Sequence, residues 1–186
     1  TARKADELEQ ARQQLQAQGV KVLTIPTDLQ QAQAISPLVE QVLQHFGQID
    51  ILVNNAGISD TSSLASFSND AWHRIIETNL SGPFYCCRAV ASQMLERRSG
   101  RIINISSNYA TMAAAGGAAY NSSKAALNML TKVLALEWAP YNVGVNAIGP
   151  GWFETEMSKA SLETPEQLAR VENIVPMGRL TSLRDL

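Results

Sequence analysis

The chain has 186 residues, 45% of them hydrophobic, which is enough for one globular domain with a buried core. Its 15 lysines and arginines are scattered among 17 acidic residues, and the formal net charge of −2 excludes the basic surface typical of nucleic-acid-binding proteins. No apolar run approaches the roughly 18 residues that a membrane-spanning helix requires, so we expect neither a nucleic-acid nor a membrane partner.

The first quarter of the chain is predicted to alternate helix, strand and helix. Apolar residues recur on one face of a helix over 4–18, and Gly19 is a suitable helix stop. An apolar strand is predicted over 20–25 and is followed by Asp28. The next helix is predicted over 31–46.

The following stretch contains a buried strand that runs into a turn of small residues. Near-continuous Ile, Leu and Val over 49–53 suits a parallel strand covered on both faces. The turn Asn54-Asn55-Ala56-Gly57 lets the backbone approach a ligand closely, although such a turn can also be purely structural. Residues 69–98 are predicted to form two helices with a break between Asn79 and Pro83.

The second half of the chain continues the alternation. Strands are predicted over 101–106 and 143–148, with a helix over 119–139 between them and a polar helix over 156–172 after them. Strand–helix alternation along the whole chain predicts an α/β fold with right-handed crossovers. Because the strands end in small or polar residues, we expect a ligand outside the carboxyl ends of the sheet.

The most informative pattern is a tyrosine four residues before a lysine, Tyr120 and Lys124, with Ser107 thirteen residues before the tyrosine. On a helix the two side chains lie on the same face about one turn apart, where an ammonium stabilises a tyrosinate. Such a phenol can give or take a proton at working pH. The pair alone is common on solvated helix surfaces, so the prediction of an acid–base site depends on the surrounding motifs.

Together these motifs resemble the classical short-chain dehydrogenase/reductase family. The matching residues occur in the family's order and spacing over essentially the whole chain: Asp28, Asn54-Asn55-Ala56-Gly57, Asn79, Ser107, Tyr120, Lys124, Pro150-Gly151 and Thr155. The resemblance implies a Rossmann-like, doubly wound parallel sheet in a three-layer α/β/α arrangement. It also implies that residues 1–186 form a single NAD(P)-binding domain.

Two parts of the family's pattern have no counterpart in the sequence. These are a glycine-rich phosphate loop after the family's first strand and a final strand beyond Leu186. The resemblance therefore predicts an internal portion of a longer protein, incomplete at both termini. In the family's sheet order 3-2-1-4-5-6-7, strand 20–25 is third and lacks a neighbour, and strand 49–53 is fourth and has a bare apolar edge. We expect the isolated chain to be poorly stable and to bind dinucleotide weakly.

The resemblance assigns catalytic roles to four residues. Tyr120 would protonate the carbonyl oxygen during reduction or accept the alcohol proton during oxidation, and Lys124 would support it and bind the nicotinamide ribose. Ser107, favoured over Ser106 by the family's spacing, would hydrogen-bond the substrate oxygen. Asn79 would hold a water that links Lys124 to solvent, although it could instead be a residue of a helix kink.

The resemblance also assigns the cofactor contacts. Asp28 would meet the adenine, although it could instead be a turn residue similar to a helix N-cap. NAD-preferring members have an acidic residue about where Ala2 stands, and the neighbouring Arg3 suits a 2′-phosphate, so NADP(H) is favoured over NAD(H). The remaining contacts would be Asn55, Ala56 and Gly57 on the adenosine side and Pro150, Gly151 and Thr155 around the nicotinamide.

The substrate is expected to be a small carbonyl compound or secondary alcohol that exchanges hydride with the cofactor. Segment 152–180 would form a lid over it. The run Pro176–Arg179 resembles a segment shared by sugar-acid dehydrogenases and 3-oxoacyl-thioester reductases of the family, so it does not choose between these substrates. Candidate apolar residues of the lid, which could equally serve only to pack it, are Trp152, Phe153, Met157 and Leu162.

The resemblance implies a homotetramer, because the family builds a four-helix subunit interface from the helices that correspond to 84–98 and 119–139. The adjacent Cys86 and Cys87 are interpreted as small apolar residues, which fits a cytoplasmic protein. The two histidines lack the spacing of metal ligands, and we expect no metal site. Two alternatives stay open: other chemistry on the same fold, such as epimerisation or dehydration, and a non-catalytic assembly subunit or inactive fragment.

Overall fold

The computed structural model describes residues 1–185. A parallel sheet of three strands in the order β1-β2-β3 lies at its centre. Parallel strands buried by crossover helices favour continuous branched apolar residues, and all three strands are rich in Ile and Val. The strands are β1 (Ile51–Asn54), β2 (Gly100–Ile105) and β3 (Val143–Ile148).

The described part of the chain forms six α-helices, which precede, connect or follow the strands. The strands are joined by helical crossovers, so the alternation predicted from the sequence is confirmed for the part from β1 to β3. Within residues 1–185, no helix combines the length and the apolarity needed to cross a lipid bilayer. The helices are α1 (Ala5–Gln16), α2 (Ala32–Phe46), α3 (Asn69–Ile76), α4 (Gly82–Arg97), α5 (Ala118–Trp138) and α6 (Pro165–Ile174).

The core lies on one face of the sheet, beneath α4 and α5. Residues paired in register share a face, and Leu52, Ile102 and Val145 form one such row. This row packs against Val90 of α4 and Trp138 of α5. Since consecutive right-handed crossovers in one direction place their helices on the same face, this packing follows from the strand order.

The opposite face of the sheet is much more exposed. Ile51 and Val53 of β1 are 59% and 51% exposed. Their neighbours Leu52 and Asn54 point into the helical layer, as the period of two requires. A Rossmann-like parallel sheet with flanking helices is confirmed. Within the described residues β1 pairs only with β2, so the bare apolar edge expected at this strand is present.

The two cysteines lie on the inner side of α4. Burial raises the pKa of the Cys86 thiol to about 11 and that of the Cys87 thiol to about 12. Both are free thiols. The interpretation of these residues as small apolar side chains is confirmed, because a thiol that stays protonated is a poor nucleophile and a poor metal ligand.

The prediction of a strand over 20–25 is wrong. These residues make no strand ladder, and Ala2 and Pro26 form a single isolated parallel bridge beside them. The amide of Thr27 donates to the carbonyl of Ala2 over 2.9 Å. An apolar extended segment becomes a strand only where a neighbour supplies hydrogen bonds, and in residues 1–185 only this short contact is available.

The break predicted between Asn79 and Pro83 is also different in the structure. Helix α3 continues through a π-helical turn, Glu77–Ser81, directly into α4. Pro83, which has no N–H to donate, directly follows this turn as the second residue of α4, where the hydrogen bonding passes from the π type to the α type. The sequence therefore changes the helical register here without ending the helix.

The polar helix predicted over 156–172 begins later than expected. Only a 3₁₀ turn at Lys159–Ser161 precedes α6, which runs from Pro165 to Ile174. The side chain of Thr164 accepts the amide of Gln167, and the side chain of Gln167 accepts the amide of Thr164. This capping box, followed by a proline at the first helical position, fixes the start of α6.

Candidate active site

Tyr120 and Lys124 lie in the first two turns of α5, at the carboxyl-end edge of the sheet. The Lys124 ammonium lies 5.8 Å from the centroid of the Tyr120 ring. Its Nζ donates to the carbonyl of Ile105, the last residue of β2, over 2.7 Å. The helical spacing predicted from the sequence is thus present, and the lysine also ties α5 to the end of a central strand.

Lys124 is only 3% exposed. Burial lowers its pKa to about 8, because the protonated amine loses hydration that a single carbonyl does not fully replace. An amine held in this way stands close to its protonation equilibrium at mildly alkaline pH. Strongly shifted lysines of this kind occur often at functional sites.

Ser107 lies two residues beyond the end of β2 and is buried. Its Oγ accepts the amide of Tyr109 over 3.1 Å and donates to Oδ1 of Asn108 over 3.2 Å. The preceding Ser106 instead donates to the carbonyl of Lys124 over 3.4 Å and so contacts the backbone of α5. The two hydroxyls therefore have separate partners, with only that of Ser106 bonded to the helix.

Asn79 is fully buried in the π-helical turn. Its Oδ1 accepts the amide of Ile58, and its Nδ2 donates to the carbonyl of Ile58, both over 2.9 Å. The second Nδ2 hydrogen goes to Oγ of Ser123 over 3.0 Å, and Ser123 in turn donates to the carbonyl of Tyr120 over 2.7 Å. Asn79 therefore joins the segment after the Asn54–Gly57 turn to the helix that carries the tyrosine.

The turn after β1 lies against the same group of side chains. A Cβ added to Gly57 would lie 3.4 Å from Nζ of Lys124 and 3.6 Å from Oδ1 of Asn79. Asn55 and Ala56 are exposed. The absence of a side chain at Gly57 leaves open backbone beside the lysine, as a close approach by a ligand requires.

Asn54 has a structural role that sets it apart from the rest of its turn. Its Nδ2 donates to Oδ1 of Asn104 over 2.8 Å, and Nδ2 of Asn104 donates to Oγ1 of Thr131 over 2.9 Å. This buried chain of hydrogen bonds links β1, β2 and α5. It fixes the ends of the strands that carry the candidate site.

The Ala2–Pro26 bridge joins the two segments that carry Arg3 and Asp28. Arg3 is exposed. Oδ1 of Asp28 accepts the amide of Gln30 over 3.1 Å, which is the turn interaction considered as the alternative for this residue. Both residues lie outside the hydrogen-bonded group formed by Asn79, Ser123 and Tyr120.

The segment after β3 approaches Ser107 through the backbone. The carbonyl of Pro150 accepts the amide of Asn108 over 3.1 Å. A Cβ on Gly151 would lie 3.2 Å from Oγ1 of Thr181, so the absence of a side chain at this glycine allows Thr181 to lie close to it. Thr155 is exposed and forms a turn in which its amide donates to Oγ of Ser158 over 2.9 Å.

The apolar residues predicted for the lid differ in their surroundings. The Trp152 ring meets the Tyr109 ring edge-to-face, with centroids 6.2 Å apart, and its backbone carbonyl accepts the amide of Thr181 over 2.8 Å. The indole N–H of Trp152 is buried and has no acceptor among residues 1–185. Phe153 and Leu162 are half-buried, and Met157 is exposed.

Three contributors to this site were missed by the sequence analysis: Ile58, Ser123 and the carbonyl of Ile105. Two of them act through backbone groups, which leave no mark in the sequence. Ser123 lies inside the predicted Tyr–Lys pattern, but its partner Asn79 is 44 residues away. Within the described residues, no group of three His, Cys, Asp or Glu side chains is placed to bind a metal ion.

Comparisons with known proteins agree with this geometry. A family model described as short chain dehydrogenase matches residues 1–166. The chain is 41% identical over 153 residues to the 3-oxoacyl-[acyl-carrier-protein] reductase FabG of Salmonella typhimurium, covering 82% of this chain and 62% of the relative. It is 33% identical to gluconate 5-dehydrogenase of Gluconobacter oxydans, covering 99% of this chain and 72% of the relative.

Solved structures give the same result. A gluconate 5-dehydrogenase from Burkholderia cenocepacia in complex with NADP and tartrate has a TM-score of 0.91 at 32% identity, covering 96% of this chain and 70% of that one. A variant of actinorhodin polyketide ketoreductase with NADPH has a TM-score of 0.93 at 34% identity, with 97% and 74% covered. The chain thus spans about three fifths of the length of its FabG relative. It belongs to the short-chain dehydrogenase family.

Proposed function

We propose that the protein is an oxidoreductase that moves hydride between NADP(H) and a carbonyl compound or secondary alcohol. The observation that carries this proposal is the buried Lys124, held one helical turn from Tyr120 and beside the open backbone of Gly57. Burial of a cation lowers stability, and the hydrogen bond of Lys124 to the carbonyl of Ile105 does not require a neighbouring phenol. A buried cation next to a phenol suits a proton-transfer site.

The residues present fit a nicotinamide dinucleotide. Gly57 leaves a space beside Lys124 that a side chain would fill, and Asn55 and Ala56 next to it are exposed. Arg3 is an exposed guanidinium suited to a 2′-phosphate, which favours NADP(H) over NAD(H). The remaining residues proposed to hold the dinucleotide are Asp28, Pro150, Gly151, Thr155, Tyr120 and Lys124.

The bound nicotinamide would supply or accept the hydride. In the reducing direction, Tyr120 would give its phenolic proton to the substrate oxygen, and Lys124 would stabilise the resulting phenolate. Ser107 would turn its hydroxyl from Asn108 to the substrate oxygen and stabilise the charge that develops there. In the oxidising direction, the same groups would act in reverse.

Asn79 would complete the proton path through a bound water. Both of its amide hydrogens are used by Ile58 and Ser123, but Oδ1 has a second acceptor position beyond the amide of Ile58. A Cβ built on Gly57 would lie close to both Oδ1 of Asn79 and Nζ of Lys124, so the two atoms face the same space. A water accepted there could return a proton to the lysine from solvent.

The substrate class we propose is either a sugar acid or a 3-oxoacyl thioester. Similarity to gluconate 5-dehydrogenase and to FabG supports both. The segment 152–180 would form the lid of a single domain, and its Trp152 would pack edge-to-face on Tyr109 of the turn after β2. We also propose a cytoplasmic enzyme, with which the buried free thiols of α4 are compatible.

We further propose that the enzyme is a homotetramer. The outer face of α5 carries exposed apolar side chains at helical spacing, Met129, Val133 and Leu136, and Leu136 is 79% exposed. Phe84 on α4 is also exposed. A contiguous apolar stripe of this kind on a helix surface usually packs against a partner.

Replacing Tyr120 by Phe tests the proposed chemistry. Because general acid–base catalysis contributes about 10²- to 10⁴-fold, Tyr120→Phe should lower kcat by that range while NADPH binding is retained. Turnover is measured with gluconate-type and 3-oxoacyl-thioester substrates, and binding by nicotinamide fluorescence with NADPH and NADH in parallel. Tyr141→Phe, a change at an exposed tyrosine, is the control.

The outcomes separate the functions that remain. Equal turnover in Tyr120→Phe and the unaltered protein would rule out the proposed acid–base role. Absence of both turnover and dinucleotide binding in the unaltered protein would favour a non-catalytic assembly subunit or an inactive fragment. Tighter binding of NADH than of NADPH would contradict the cofactor preference.

A further inference from the structure

One hydroxyl outside the proposed catalytic groups connects two of them. Ser123 is fully buried between Tyr120 and Lys124 in sequence. Its Oγ donates to the carbonyl of Tyr120 over 2.7 Å and accepts Nδ2 of Asn79 over 3.0 Å. A hydroxyl has a single hydrogen, and because Tyr120 takes it, Ser123 can only accept from Asn79.

We propose that Ser123 is a positioning residue for the reaction, whose hydroxyl holds the Tyr120 turn of α5 at a fixed distance from Asn79 and the turn ending at Gly57. This inference rests on the proposed function, since it concerns the same site. Ser123 itself would touch neither substrate nor cofactor.

The hydrogen bonds around Asn79 show how the position is transmitted. Ile58 uses both its amide and its carbonyl to bind the side chain of Asn79. The remaining Nδ2 hydrogen of Asn79 goes to Ser123. Three separate segments, namely the one after β1, the π-helical turn and the start of α5, are thereby joined in one buried chain of hydrogen bonds.

Removing the Ser123 hydroxyl breaks one link in this chain and leaves the rest in place. Asn79 could still form both hydrogen bonds to Ile58, but its side chain would lose one of three partners and be held less firmly. What is lost is the fixed spacing between the tyrosine and the turn beside the cofactor. A displacement of about 1 Å at a reacting group can lower the rate roughly 100-fold, whereas the fold tolerates it.

Ser123→Ala in the intact protein tests the proposal, with the exposed neighbour Ser122→Ala as the matched control. We expect kcat to fall at least about tenfold in Ser123→Ala, with the KM for NADPH within about threefold. The melting temperature should fall by no more than roughly 8 °C. Ser122→Ala should match the unaltered protein in all three.

A second readout does not depend on turnover. The amide of Ile58 donates to Asn79, so its hydrogen exchange, followed by NMR, reports how firmly Asn79 is held. Exchange at Ile58 should become at least about tenfold faster in Ser123→Ala and stay unchanged in Ser122→Ala. The isosteric pair Ser123→Thr and Ser123→Val adds the same bulk with and without a hydroxyl, and only the threonine should restore kcat.

Each result has a defined meaning. A kcat for Ser123→Ala within threefold of the unaltered protein, or unchanged exchange at Ile58, would overturn the positioning role. Equal kcat values for the Thr and Val variants would overturn it as well, because shape alone would then decide the rate. If the unaltered protein shows no turnover, the proposed function is contradicted. Exchange at the Ile58 amide would still show whether the Ser123 hydroxyl holds Asn79 in place.

Discussion

At the scale of single residues, Lys124 has two opposing effects. Its buried amine is placed beside Tyr120 and Gly57, where the proposed chemistry needs a cation. The same burial disfavours the charged form, and the carbonyl of Ile105 compensates only part of the lost hydration. We therefore expect this residue to serve activity at the expense of folding stability below its pKa.

The stability of the protein should depend on pH through Lys124. In the unfolded chain the amine titrates near its ordinary value of 10.5, and in the folded protein it titrates at about 8. Between these values the unfolded chain binds the extra proton at Lys124, so the contribution of this residue to stability rises with pH by roughly 1 kcal/mol per unit. Above about pH 9 the two thiols of α4 act in the opposite direction, because burial raises their pKa values and they ionise first in the unfolded chain. Lys124→Met should therefore lack the rise that the unaltered protein shows in urea unfolding measured from pH 7 to 9.

The exposed Lys132 provides the control for this measurement. Lys132→Met removes a lysine from the same helix without removing a buried charge. It should keep the full pH dependence of the unaltered protein. If Lys124→Met and the unaltered protein gave parallel curves, the lysine would have to keep its ordinary pKa in the fold.

At the scale of elements, the loop before α5 depends on one glycine. Gly116 has a φ of +77°, and a Cβ there would clash with the backbone carbonyl of Thr61. The loop that positions the start of α5 therefore packs directly on the backbone that follows β1. Both requirements, a left-handed conformation and no side chain, apply to the same residue.

Gly116→Ala should lower the free energy of unfolding by roughly 2–4 kcal/mol, through the left-handed backbone and the clash together. Gly178 is the matched control, since it has a φ of +65° and open space around it. Gly178→Ala should therefore cost only about 1 kcal/mol. Urea unfolding of both variants gives the comparison, and equal losses would mean that Thr61 moves aside.

The elements that the sequence predicted well are those whose signal is local. Strands 101–106 and 143–148 lie within one residue of β2 and β3, because apolar runs between turns are sufficient to define them. The segment 20–25 has the same apolar pattern and forms no strand, since strand formation also needs a partner that its own sequence does not contain. The π-helical turn depends on Asn79 reaching Ile58, which is likewise a non-local contact.

The candidate site follows the same division. The Tyr120–Lys124 pair could be predicted because a helix fixes its geometry over four residues. Roles that depend on contacts between distant segments could not, and Ser123 is the main example. Asn54 belongs to a recognisable turn, yet its side chain is used to join β1 to β2.

At the scale of the whole molecule, the apolar stripe on α5 is the surface through which copies of the chain would meet in the proposed tetramer. Its residues Met129, Val133 and Leu136 are exposed in the described chain, although all are large and apolar. Burying this stripe against a second copy would remove apolar area from water along about two helical turns. The proposed tetramer would use this surface together with α4.

Leu136→Glu should dissociate the proposed tetramer. A carboxylate placed in an apolar interface loses its hydration, so association should weaken by more than about 100-fold. Light scattering after size exclusion measures the mass. Leu15→Glu on α1, another exposed apolar residue, should leave the mass unchanged, and an unchanged mass in Leu136→Glu would place the interface elsewhere.

Helix α1 contains no buried residue, and the segment before it meets the rest of the chain through the Ala2–Pro26 bridge and its neighbouring hydrogen bonds. Arg3, the residue proposed to select the cofactor phosphate, therefore lies outside the core. Reversing its charge would remove no core contact. A substitution at this position could therefore change the preferred dinucleotide without lowering the stability of the fold. Relatives of this protein could exchange one dinucleotide for the other without compensating substitutions in the core.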